Sequence, residues 1–264
     1  MRRFAIIGGS GLDRLGTLEI SARHTLMTPY GAPSAALCEG LLAGSPVFFL
    51  PRHGDGHALP PHRINYRANI AALREAGVTD ILAVTAVGGI SADAAPGSIV
   101  VPDQIIDYTW GRDHTLYDGL NGTLDHVDFS QPYTERLRRL LIDQMADGEL
   151  VGAGVYGATQ GPRLESAAEI TRMARDGCTI VGMTGMPEAA LAREAGMAYA
   201  TVSLVVNWAA GVGGTAVISM DDIYRHLEVG MAAVVRRVGR AIAVGLSQPD
   251  PALDPALDPA SDSA

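Results

Sequence analysis

Arg52, His53 and His57 stand in the run Pro51-Arg52-His53-Gly54-Asp55-Gly56-His57, directly after the apolar stretch Val47–Leu50. A guanidinium, two imidazoles and two glycines at the carboxyl end of a strand are the parts of an anion site. His53, His57 and His62 are also spaced loosely enough to ligate a metal, but they match no zinc pattern and no His-Glu helix motif accompanies them. A solvated loop is the third reading of that segment. Ile6-Ile7-Gly8-Gly9-Ser10-Gly11 offers a second set, with glycines that let backbone approach an anion and a serine hydroxyl as a further donor. It departs from the dinucleotide fingerprint, because Arg14 stands where the third glycine belongs. Ala83–Ile90 ends an apolar run in Thr85, Ala86 and paired glycines, so hydroxyl and backbone donors could converge there. Thr159-Gln160-Gly161-Pro162-Arg163-Leu164-Glu165-Ser166 and Met183-Thr184-Gly185-Met186-Pro187-Glu188 each lead into a helical pattern, and Asn207 closes a strongly apolar run. A carboxylate such as Glu165 and an amide such as Asn207 need partners when buried. A ligand is one such partner; a cap or loop hydrogen bond is another.

These groups need elements to hold them. Arg3–Ile7, Val47–Leu50, Ile81–Val87, Ile99–Val101, Cys178–Met183 and Ala198–Val206 read as buried strands. Helical spacing runs through Asn65–Glu75, Tyr133–Met145, Ser166–Arg175, Pro187–Glu194 and Asp221–Leu246. The alternation predicts an α/β fold, one domain over residues 1–246 with a central mixed, largely parallel sheet flanked by helices. Residues 247–264 differ: Ser, Pro, Ala and Asp dominate, and Pro251–Asp254 repeats as Pro255–Asp258. A disordered, dispensable acidic tail is expected there.

Composition narrows the chemistry. All 20 basic residues are arginine, which excludes a Walker-A lysine, a pyridoxal Schiff base and a lysine nucleophile. A net charge of -9 argues against phosphate neutralisation on a nucleic acid. Two cysteines, Cys38 and Cys178, give no disulfide framework, so a reducing cytoplasm is expected. No apolar run approaches the ~20 residues of a membrane span, and the start does not read as a signal peptide.

Taken in order, the segments resemble the trimeric purine nucleoside phosphorylases, and within them the methylthioadenosine phosphorylase branch. The resemblance covers roughly residues 3–246 and rests on Gly8-Gly9-Ser10-Gly11-Leu12-Asp13, Pro51-Arg52-His53-Gly54 with His57, Asn65-Tyr66-Arg67-Ala68-Asn69-Ile70, Gly161-Pro162-Arg163 and Met183–Glu188. It implies the nucleoside phosphorylase fold and attack of inorganic phosphate on the anomeric carbon of a purine nucleoside, with no other cofactor and no metal. By the same resemblance Ser10, Arg52, His53, Thr85, Ala86 and Thr184 hold phosphate, Met183 and Leu164 contact the nucleoside, and Asn207, Glu165 and His53 are the catalytic candidates. A homotrimer, or a hexamer, is implied too, with His126 matching a residue that the methylthio branch lends from a neighbouring subunit.

Two departures bear on the substrate. The adenine-using branch typically carries aspartate and serine where this chain has Asn207 and Glu165. A 6-oxopurine presents N1–H as donor and O6 as acceptor, and a 6-aminopurine reverses both. Ionised Glu165 only accepts, which suits the 6-oxo pattern, and Asn207 can bond N7 and O6 as charge develops on the leaving base. At the sugar's 5′ end, Met220 and Ile223 lie three apart on one helix face where enzymes for ordinary nucleosides have a polar histidine. Methionine adapts well to a soft sulfur substituent. The combination implies S-methyl-5′-thioinosine as substrate, and an upstream deaminase to supply it. Four alternatives stay open: an adenine-specific methylthioadenosine phosphorylase, a broad purine nucleoside phosphorylase, a Rossmann-type nucleotide-binding protein and a non-catalytic nucleoside-binding module.

Overall fold

The computed structural model describes residues 2–12, 16–117, 119, 124–145, 150–214 and 218–248. Strand β1 (Phe4–Gly8) is buried along its whole length because its period-two alternation feeds two cores. Phe4 and Ile6 pack on one side of the sheet and Ala5 and Ile7 on the other. A meander of β2 (Leu18–His24), β3 (Leu37–Leu42) and β4 (Ser45–Pro51) lies beside β1, with β4 and β1 parallel. β5 (Asp80–Gly89) pairs parallel to β1 on one edge and, on the other, to β11 (Ala198–Trp208). Two short strands, β6 (Ile99–Val100) and β8 (Leu150–Val151), extend the sheet beyond β11. β10 (Cys178–Gly182), β9 (Val155–Ala158) and β7 (Gln104–Asp107) complete it past the far end of β5. The sheet is mixed, and parallel pairings outnumber antiparallel ones among the described residues.

Helices cover both faces. α2 (Glu135–Met145) and α5 (Met220–Ser247) bury Leu137, Leu141, Val234, Val238 and Ile242 against Phe4, Leu82 and Leu204. α1 (Tyr66–Glu75) and α4 (Gly185–Glu194) bury Ile70, Leu73 and Leu191 against Ile7, Leu50 and Ile81. α3 (Ala167–Arg175) closes a smaller core on β10 through Ile170 and Met173. The predicted strands and helices are all present, with ends shifted by up to two residues where caps intervene: Asn65 and Ser166 accept the first amide bonds of α1 and α3 rather than joining them. β2, β3, β7, β8 and β9 were not predicted. β2 shows why, since only Leu18 is buried in it and Glu19, Arg23 and His24 suit a solvated edge. Asp13 of the glycine-rich start and residues 249–264 of the expected tail lie outside the described residues.

The topology makes one opening. β1 pairs with β5 only over Phe4–Gly8 against Asp80–Val84, and β10 takes up the same edge only at Gly88–Gly89. Between those stretches, Thr85–Val87 keep β11 as partner on one edge while their other edge faces a crevice. The parallel strands β1, β4, β5 and β11 all deliver their carboxyl ends there, the place where open α/β sheets bind ligands.

Candidate active site

A cavity of about 480 Å³ fills that crevice, within the size range of small-molecule sites. Twelve predicted residues line it: Ser10, Arg52, His53, Thr85, Ala86, Leu164, Glu165, Met183, Thr184, Asn207, Met220 and Ile223. His126 does not; it is exposed on the segment before α2.

One wall of the cavity is built on close backbone approach. The Gly9 amide donates to Val84 O at 3.2 Å, and a Cβ on Gly9 would stand 2.9 Å from Arg52 Nη1 and 3.0 Å from the backbone Val84 O, so a side chain there would crowd both. Arg52 is buried and bound bidentately, Nε to Glu188 Oε2 at 2.6 Å and Nη2 to Glu188 Oε1 at 2.8 Å. Burial by itself would lower the Arg52 pKa, but the Glu188 charge and hydrogen bonds raise it, so the guanidinium stays charged. The same carboxylate accepts from Tyr199 Oη at 2.8 Å. With Glu188 taking Nε and Nη2, the edge of Arg52 nearest Gly9 is Nη1, which also reaches Val84 O at 3.2 Å. Arg52 therefore reaches the cavity as half of a neutral pair, and an anion placed there would need attraction from other local donors as well.

Those donors surround it. Thr85 Oγ1 lies 2.8 Å from Ser203 Oγ across the β5–β11 ladder; when Ser203 donates, the Thr85 proton is left for a ligand. Thr184 is the N-cap of α4 without a side-chain bond to the helix, and it lines the cavity at that helix N-terminus beside the buried Tyr156. His53 Nδ1 faces Leu59 O at 2.8 Å and so carries the proton there. The His53 and His57 rings stack at 4.2 Å.

The opposite side holds Glu165 and Asn207, both half-buried rather than fully enclosed. A bulge delivers Asn207: Val205 pairs with Val87 and Asn207 with Gly88, so Val206 is the extra residue, and both Val206 and Asn207 line the cavity. Asn207 Nδ2 donates to Trp208 O at 2.7 Å, which fixes the amide. Glu165 Oε1 accepts from Thr159 Oγ1 at 2.5 Å. The loop carrying Glu165 packs on Met183: a Cβ on Gly161, at φ +59, would meet the Met183 sulfur at 2.5 Å. A capping box then fixes where α3 starts, with Ser166 accepting from the Glu169 amide and Glu169 accepting from the Ser166 amide. Arg163 grips the same carboxylate with both terminal nitrogens, and these bonds hold the Glu169 pKa down to about 2. The box is thus complete above the ordinary value of 4.5 and is lost as pH falls through about 2. A carbon-detected titration is expected to find the Glu169 midpoint near 2. Arg163→Met should move it up towards 4.5, and a midpoint already at 4.5 in the unaltered chain would refute the assignment.

At the third side, Met220, Ile223 and Leu227 follow one face of α5 and line the cavity with Ile218. Ser219 and Asp222, which share a neighbouring face, form the N-cap of α5 instead. Sequence reasoning missed Glu188, Tyr199, Ser203 and Arg112. Glu188 lies inside a quoted motif, but nothing local announces that it faces Arg52. Among the described residues no group of three His, Cys, Asp or Glu side chains is placed to hold a metal, and no helix is long and apolar enough to cross a membrane.

Known proteins resemble this chain over most of its length. A Xanthomonas campestris protein named probable S-methyl-5′-thioinosine phosphorylase is 49% identical over 237 residues, 89% of this chain and 95% of that one. A Pseudomonas syringae protein of the same name is 52% identical over 245 residues, 92% of this chain and 99% of that one. The solved methylthioadenosine phosphorylase of Schistosoma mansoni in complex with adenine superposes with a TM-score of 0.89 at 30% identity, covering 94% of this chain and 93% of that one. The family model for the phosphorylase superfamily matches residues 3–240, and this chain belongs to that superfamily.

Proposed function

We propose that this phosphorylase cleaves S-methyl-5′-thioinosine with inorganic phosphate, giving hypoxanthine and 5-methylthioribose 1-phosphate. The observation that carries the reading is that one cavity joins three chemically distinct walls. Gly9, Ser10, Arg52, His53, Thr85 and Thr184 line it where an anion would find donors, Glu165 and Asn207 line it where a base would find hydrogen-bonding partners, and Met220, Ile223 and Leu227 line it with apolar surface that suits a 5′ substituent. Relatives at about half identity carry the corresponding name.

The geometry suits a dissociative displacement. Phosphate held below the sugar stabilises the positive charge that grows on the anomeric carbon, and donors on the base side stabilise the charge that grows on the purine. Asn207 donates to O6 and N7, or accepts from a protonated N7, and Glu165 accepts from N1–H. No covalent intermediate is needed, and neither Cys38 nor Cys178 lines the cavity. A 6-aminopurine would set an acceptor against Glu165, and such reversed pairing can cost up to ~10⁴-fold in kcat/KM. His126 enters only in an assembly, and we include a homotrimer, or a hexamer, in the proposal.

Side-by-side phosphorolysis of methylthioinosine, methylthioadenosine and inosine tests the reading. Methylthioinosine should be turned over with the highest kcat/KM. A preference for the amino substrate would overturn the base assignment, and equal turnover of inosine would overturn the 5′ assignment.

A further inference from the structure

We propose that Thr159 is a positioning residue that sets Glu165 for the base, and that Arg112 holds Thr159 in place. The inference deepens the base assignment above and rests on it. Glu165 sits on a loop and is half-buried, so nothing about burial alone fixes its carboxylate. Thr159 lies on firmer ground. It follows the last residue of β9, whose Ala158 pairs with Gly182 of β10, and its amide donates to Gly182 O at 2.8 Å. From that anchor its hydroxyl reaches Glu165 Oε1 at 2.5 Å, closer than the alternative acceptor Gly182 O at 3.3 Å. One carboxylate oxygen is thereby pinned, and no donor among the described residues binds the other. A fixed acceptor is what discrimination between N1–H and N1 requires.

Arg112 secures the anchor from behind. It is buried, and its guanidinium donates from Nη2 to Thr159 O at 3.2 Å and Gln160 O at 2.9 Å, and from Nε to Gln160 Oε1 at 3.0 Å. Nη1 reaches Met183 O at 2.9 Å, Met186 O at 2.6 Å and Tyr66 Oη at 3.1 Å. One side chain thus ties the loop that carries Glu165 to the turn that carries Met183 and Thr184. A lysine is a point charge with three donors and cannot reproduce this planar fork.

The test compares Thr159→Val, Thr159→Ser, Arg112→Lys and Glu165→Gln with the unaltered protein, using methylthioinosine and methylthioadenosine. Thr159→Val removes the hydroxyl at nearly constant volume. It should lower kcat/KM for methylthioinosine about 10-fold, the weight of one hydrogen bond to a charged group. The 6-amino substrate should be affected far less, and the melting temperature should hold. Thr159→Ser should restore the 6-oxo preference, a rescue that a merely structural role would not produce. Arg112→Lys should weaken the 6-oxo preference and raise the phosphate KM together; should it fail to fold, the threonine pair still decides the proposal. If Glu165→Gln collapses the preference while Thr159→Val leaves it intact, Thr159 is not the positioning residue. If Glu165→Gln itself changes nothing, the base assignment falls and takes this inference with it.

Discussion

Glu188→Ala is expected to destabilise the protein by about 3–5 kcal/mol and to remove measurable phosphate binding. The buried pair with Arg52 is held by two hydrogen bonds of 2.6 and 2.8 Å, with side chains 1% and 0% exposed. Removing the carboxylate leaves a buried guanidinium without its counter-charge, and leaves Tyr199 Oη without its acceptor. The size of the effect reflects the unpaired charge, not the worth of the pair, which gives a second and sharper expectation. Replacing both partners, Arg52→Met with Glu188→Leu, should recover much of the lost stability, because buried ion pairs are often no more stabilising than apolar residues of like volume. It should not recover phosphate binding. Denaturant unfolding and phosphate titration of the single and double variants check this. A double variant that binds phosphate normally would show that Arg52 plays no part in the anion site.

Asn207→Asp and Glu165→Gln, read as kcat/KM ratios, are expected to move base preference in the same direction. Aspartate at 207 accepts where the amide donated, so it favours an exocyclic amino group over a keto oxygen. Each change should lower the 6-oxo to 6-amino ratio by about 10- to 100-fold, the range for a hydrogen bond involving a charged or newly unpaired group. Because Asn207 and Glu165 would bond the same ring, the effects are not expected to add in the double variant. An unchanged ratio in Asn207→Asp would mean that the bulge at Val206 aims this residue at something other than the base.

Much of this site was legible in the residues themselves. The strands that deliver Ser10, Arg52, Thr85 and Asn207 are buried on both faces, so they appear as uninterrupted apolar runs whose ends are marked by glycine and polar residues. Met220 and Ile223 were readable because helical spacing places them together, and the same logic left Ser219 and Asp222 on a neighbouring face, where they turned out to form a cap. What stayed hidden depends on contacts between distant segments. Arg112 lies in Trp110-Gly111-Arg112-Asp113, a stretch with no periodicity, and its acceptors are 46 to 74 residues away along the chain. Glu188 reads as an acidic residue in the first turn of a helix, which ordinarily complements the helix dipole at the surface; here it is fully buried against Arg52, 136 residues away along the chain. The β11 bulge adds one residue to an otherwise regular ladder, and no composition signal marks it. Glu165 and Asn207 were read as candidates for burial and prove half-exposed, as a site open to a ligand requires.

The most direct measurement follows the fate of the sugar by phosphorus NMR while the protein acts on methylthioinosine, with and without inorganic phosphate. Hypoxanthine release is expected only when phosphate is present, together with a new sugar 1-phosphate resonance in equal amount. Hypoxanthine released at the same rate without phosphate would make the protein a hydrolase and contradict the assignment of the anion wall.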